Sequence, residues 1–162
     1  VGVLSEISQH EPIQFRDVLH ITGYLNSAQG TLAANEVFMT KIVDQDFKTF
    51  AEDILQKGLM TEIQILQSLL QTNGLVLPPA PPSVSVNNLP PNLTLNDAQI
   101  AADFSEKISS SLLVCSQIVG ESCHEDIGNI FERFHMSKAQ VGARLVQLMK
   151  QKGWLVRPTL YL

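Results

Sequence analysis

"PPAPPSVSVNNLPP", residues 78–91, holds six of the chain's eight prolines. Proline lacks a backbone N–H and its ring clashes with the preceding turn, so no helix runs through this stretch. On either side, apolar residues recur at three- and four-residue steps, the spacing of an amphipathic helix. The prolines therefore divide a helical chain into two halves. A connection this long inside one domain is a crossover rather than a tight turn.

Upstream of it, the spacing predicts a helix over about 15–42, with Val18, Ile21, Leu25, Ala28, Leu32 and Met39 as its stripe. Asp44 supplies a side-chain cap for a second helix, about 45–73, which Gly74 ends. Downstream, a third helix over about 97–121 starts at Asn96–Asp97 and aligns Ala101, Phe104, Ile108, Leu112, Cys115 and Ile118. Ser122-Cys-His-Glu125 has the pattern of a capping box and opens a fourth helix, about 124–152, stopped by Gly153. Residues 74–96 form the crossover and 153–162 an apolar tail. Helices of about 25–28 residues are about 40 Å long.

Short links within each half make two antiparallel hairpins, and the crossover returns the chain along them. The fold class is all-α: a ferritin-like four-helix bundle, one domain over 1–162. The interior glycines Gly23, Gly30, Gly58, Gly128 and Gly142 each cost about 1 kcal/mol against alanine. Close approach of neighbouring helices is the reading given to them.

A hydrophobic fraction of 44% in 162 residues builds a core unaided. The net charge is −5 and the 11 basic residues are scattered, which argues against a nucleic-acid partner. No apolar run approaches the ~20 residues that cross a bilayer, so no membrane partner is expected. Nor does a basic segment precede an apolar run, and the expected location is cytoplasmic. Cys115 and Cys123 have neither disulfide-framework nor metal-knuckle spacing and read as buried free thiols. His10, His20 and His124 lack triad partners, and glycine-rich phosphate loops are absent. No catalytic residue and no cofactor are assigned.

One motif does point to metal chemistry. Glu132-x-x-His135 is the spacing with which one helix of a ferritin-type bundle offers two ligands. On a wheel of 100° per residue, however, Glu132 lies about 140° from the centre of its helix's apolar arc and His135 about 80°. The second helix has Glu62, but Ile65 stands where a second histidine would be needed. A dinuclear site is therefore not favoured; Glu132, His135 and Glu62 are its weak candidates.

The same wheel turns other polar residues inward. Lys138 falls about 20° from the centre of the fourth helix's apolar face. Glu62 sits among Ala51, Leu55, Leu66 and Leu69, and Gln29 and Glu36 follow the line of Leu25 and Leu32. A buried charge needs a partner, so Lys138 is expected to pair with Glu62, helped by Gln29 and with Glu36 further along. The competing reading kinks the last helix near Met136–Ser137 and lets Lys138 reach water. In the tail, Trp154 and Tyr161 are anchor residues, for packing on their own bundle or on a partner subunit.

Several stretches carry a resemblance. "LVQLMKQKGWLVRPTLYL" (145–162), "VDQDFKTFAEDIL" (43–55), "LLQTNGLVLPP" (69–79) and "HEDIGNIFERF" (124–134) resemble an uncharacterised ferritin-like family of endospore-forming, Bacillus-type bacteria. Spore coat proteins of the Coat F type are similar, with a comparable Lys-Gly-Trp ending. The resemblance covers roughly residues 15–160 and implies a four-helix bundle with a link to sporulation. It implies no established activity. The chain departs from the family in the crossover, where Pro-x-Gly-Phe followed by Asp-Val is the commoner pattern.

Three functional readings follow. The leading one is a non-catalytic structural or interaction protein, made in the cytoplasm and spore-associated, its partners a second copy or other spore-coat proteins. The second is a degenerate metal-binding bundle using His135 with Glu132 or Glu62. The third is a small-molecule carrier with a cavity lined by Gly23, Ala28, Gly58 and Ser111.

Overall fold

The computed structural model describes residues 11–82 and 94–155. All regular structure among them is helical, in four rods, with no strand. The first rod is α1, Phe15–Met39. The second is compound: α2 (Gln45–Phe50), a π-helical segment (Ala51–Gln56) and α3 (Lys57–Thr72). The third and fourth are α4, Asp97–Glu121, and α5, Glu125–Lys152. Most of the Pro-rich segment, residues 83–93, lies outside the described residues, as do 1–10 and 156–162.

The rod ends follow from local chemistry. Asp44 accepts the Phe47 N–H at 2.9 Å and opens α2. Asn96 and Gln99 form a reciprocal box at the start of α4, each side chain accepting the other's N–H, at 2.8 and 3.1 Å. Gly74 and Gly153 take φ of 69° and 72°, a left-handed turn that only glycine adopts freely. Behind each, the next N–H reaches back five residues, Leu75 to Leu70 and Trp154 to Met149, both at 2.9 Å.

Two expected ends are corrected. Helix α1 stops at Met39 rather than 42, because Asp97 accepts the N–H groups of Val43 and Asp44 at 3.0 and 2.7 Å. Those bonds draw the link toward the first turn of α4. Ser122 does not cap α5; the N-cap is His124, without a side-chain bond. The Ser122 hydroxyl donates to Asp17, buried at the start of α1, at 3.0 Å, while its oxygen accepts only the N–H of His124, at 3.3 Å.

Helices α4 and α5 pack closely along their length, and α1 packs on α3. The core falls into two parts. One gathers Ile21, Leu25, Leu66, Leu70, Ile118 and Phe131. The other gathers Phe47, Phe50, Ile100, Phe104, Leu145 and Met149. Residues early in α1 meet residues late in α3, which makes that pair antiparallel; α4 and α5 pair likewise.

The glycine reading holds at one position only. A Cβ on Gly142 would meet Ile108 Cγ2 at 3.2 Å, so α4 and α5 approach closely there. At Gly23, Gly30, Gly58 and Gly128 a Cβ would meet nothing within 4 Å. These four are not there to let helices touch. Of the two thiols, Cys115 is buried, but Cys123 is exposed on the short link between α4 and α5, which leaves it outside both cores.

Candidate functional site

Each rod contributes to one buried polar group. Lys138 Nζ on α5 lies 3.0 Å from Glu62 Oε2 on α3. The Tyr24 hydroxyl on α1 donates to the same oxygen at 3.1 Å. Since that bond uses Tyr24's only proton, Ser111 on α4 is the donor in its 3.1 Å contact with the phenol oxygen. The Cys115 thiol also points at that oxygen, at 3.7 Å. The chain of donors thus runs from α4 through α1 to a carboxylate on α3, which α5 neutralises.

Apolar packing places these groups. Tyr24 follows Ile21 by one turn on the buried face of α1 and meets Phe131 edge-on and Phe134 in a stack, with centroids 5.1 and 5.9 Å apart. Glu62 shares the inward face of α3 with Leu59, Ile63 and Leu66. Lys138 lies one turn beyond Phe134, its ammonium 5.9 Å from the Tyr24 ring centroid. Its side chain is 14% exposed and that of Glu62 8%, so this is an interior pair rather than a surface one.

Burial dominates the electrostatics. It raises the Glu62 pKa above the ordinary carboxylate value, against the opposing pull of Lys138 and the Tyr24 hydrogen bond. Burial, then the Glu62 charge, pushes the Tyr24 phenol far upward, which keeps its proton in place for donation. The Cys115 thiol is raised as well, chiefly by burial. Neither Tyr24 nor Cys115 is poised as a nucleophile or base at neutral pH.

The structure brings Glu62 and Lys138 together and leaves other predicted residues apart. Helix α5 is continuous through Met136–Ser137, and Lys138 turns inward to Glu62 rather than out to water. Glu36 is exposed, about 120° around α1 from Tyr24, and Gln29 is only part-buried, its Oε1 without a partner among the described residues. Tyr24, Ser111 and Cys115 take the places expected for them. Trp154 packs edge-on against Phe47 at 5.5 Å, on its own subunit. Tyr161 lies outside the described residues.

Glu132 is exposed and His135 part-buried, and neither joins the polar group. Among the described residues, no three His, Cys, Asp or Glu side chains gather as a metal site. The groups at the centre do not fit a ferritin-type dinuclear centre either. An ammonium already holds the Glu62 carboxylate, and α4 offers a hydroxyl where a ligand carboxylate is required.

The polar group borders a cavity of about 1030 Å³ between the two hairpins. Gly23, Ala28 and Ser111 line it from α1 and α4, and Gly58, Phe134 and Val141 from α3 and α5. Gly23 and Gly58 are themselves exposed, so they stand where the cavity meets solvent. No helix of the described residues is long and apolar enough to cross a membrane.

The chain is similar to known proteins. "Uncharacterized protein YvdQ" of Bacillus subtilis (strain 168) is 33% identical over 165 residues, spanning 100% of this chain and 96% of that protein. A crystal structure of a "putative spore coat protein" from Bacillus halodurans C-125 superimposes with a TM-score of 0.86 at 34% identity, covering 96% of this chain and 99% of that one. The family described as "Protein of unknown function (DUF3231)" matches residues 2–161. With one family matched over nearly the whole chain, and full-length relatives above 30% identity beside it, the protein belongs to the DUF3231 family.

Proposed function

We propose that the protein is a ferritin-like four-helix bundle of the spore-coat class, two hairpins joined by the Pro-rich crossover, acting as a non-catalytic structural or interaction protein. It is made in the cytoplasm and then associates with the spore, alongside a second copy or other coat proteins. The observation that carries this reading is the 3.0 Å contact of Lys138 with Glu62. It supplies fixed positive charge at the level where a bundle of this topology would otherwise recruit metal. The spore-coat description of the Bacillus halodurans neighbour supports the placement. The perturbed groups serve the fold: a tyrosine, a serine and an ion pair tie four helices at one level.

Two measurements test the reading. A tagged chain expressed in sporulating Bacillus is expected in the detergent-extracted coat fraction; recovery only from vegetative cytosol sinks the placement. Protein purified without chelator is expected to carry no stoichiometric iron, manganese or zinc. Metal at one or two equivalents, lost on Glu62→Gln, overturns the structural role.

A further inference from the structure

We propose that the cavity between the two hairpins binds a hydrophobic monocarboxylate, with its headgroup at Lys138 and its acyl body along Ala28, Leu59, Ile108 and Phe134. This site stands apart from the spore-coat reading, and it is tested on purified protein. Three observations lead to it.

The first is size. At about 1030 Å³ the cavity is at the upper end of small-molecule sites, which run to about 1,000 Å³. The second is the glycines. Gly23 and Gly58 line the cavity, and a Cβ on either would meet nothing within 4 Å. Glycine lowers helix stability, and at these two positions, where the cavity meets solvent, no close contact explains it and a larger side chain would narrow the opening.

The third observation is the balance of hydrogen-bonding groups at the polar end. Lys138 carries three N–H donors, and among the described residues its polar partner is Glu62 alone. The lysine and Tyr24 bonds fall on the same carboxylate atom, Oε2. The Tyr24 and Ser111 protons are already committed, to Glu62 and to the phenol oxygen. The donors left over are thus the remaining N–H groups of Lys138, so the headgroup that meets them is an acceptor, and beside an ammonium an anionic one gains most. Apolar walls fit an aliphatic body. The raised Glu62 pKa is consistent with this, because a second carboxylate near Lys138 is easier to place when Glu62 takes up a proton.

The test uses the full chain with palmitate and the neutral hexadecanol, each competing against dansylated undecanoate followed by fluorescence. Wild type is expected to bind palmitate saturably, at one equivalent, and at least about tenfold more tightly than hexadecanol. Lys138→Met is expected to lower palmitate affinity about tenfold and leave hexadecanol unchanged. Glu62→Gln frees the ammonium from its internal counter-ion and is expected to tighten palmitate binding. A purely structural pair would not move the two variants in opposite directions. Gly58→Leu, whose Cβ has room and whose fold is checked by circular dichroism, is expected to weaken both ligands together. The absence of saturable binding overturns the proposal. So does equal affinity for palmitate and hexadecanol, or a folded Gly58→Leu that binds as wild type does.

Discussion

Around Phe47 the protein is dense and aromatic; around Glu62 it is polar and open. Phe47 is fully buried, with Phe104 and Trp154 at 5.6 and 5.5 Å. At the same end Lys152 reaches Asp44 and Asp46 at 3.0 and 2.8 Å, and Asp97 holds the α1–α2 link. Around Glu62, the α3–α5 seam is spanned by long side chains, and the nearby glycines touch nothing. Both regions hold packed aromatic rings, but the polar contacts lie at the rim of the first and inside the second, where an ion pair and hydrogen bonds link all four rods. Close packing rewards apolar volume at every position, whereas a polar group inside a protein is stabilising only while each partner remains.

That difference can be challenged by substitution. Phe47→Ala is expected to have the largest effect, a loss of about 3–5 kcal/mol in denaturant unfolding. A loss under about 1 kcal/mol would mean the aromatic end is not close-packed. Lys138→Met should cost about 2 kcal/mol at pH 8, because it leaves Glu62 buried without its counter-ion. The cost should shrink as pH falls and protonation relieves Glu62. Replacing both by Leu should recover most of the loss, since apolar isosteres of a buried pair are often neutral.

The wild-type protein should show the same sign. With its folded pKa above the unfolded value of 4.5, Glu62 binds more protons in the native state than in the unfolded one. Its contribution is fully present below pH 4.5 and is lost as pH rises through the folded value. Urea midpoints of wild type and Glu62→Gln across that window measure this directly; parallel curves would contradict it.

The smallest effects belong to the glycines. Gly23→Ala should stabilise by up to about 1 kcal/mol, since nothing stands in its way. Gly142→Ala should gain less or lose, because Ile108 Cγ2 must yield from 3.2 Å. Equal gains at both would erase the contrast between a tight α4–α5 seam and an open interior.

Much of the architecture was legible in the sequence because the signals are local. Apolar spacing, Asp44, Gly74 and Gly153 place three of the rod ends and all four rods. The Glu62–Lys138 contact was legible too, since both residues interrupt apolar faces at matching levels. Tyr24 escaped notice because an aromatic on a stripe reads as core, and its hydroxyl has meaning only once Glu62 is across from it. Ser122 deceived for the opposite reason: its local pattern is that of a cap, and a distant residue, Asp17, claims the hydroxyl. The open interior had a trace in Gly23 and Gly58, but glycine spacing does not distinguish contact from space.

The π-helical segment, Ala51–Gln56, also left a trace. On a uniform wheel the apolar stripe moves by about 120° between Phe47–Ala51 and Leu59–Leu70, close to the 100° that one extra residue adds. Without that residue, either Phe47 or Glu62 would turn away from the interior. The polar centre is thus inherited through a single position in chain length as much as through the identity of Glu62. Family members one residue shorter between Ala51 and Gln56 should present a different side chain opposite Lys138, and an alignment gap there would mark them.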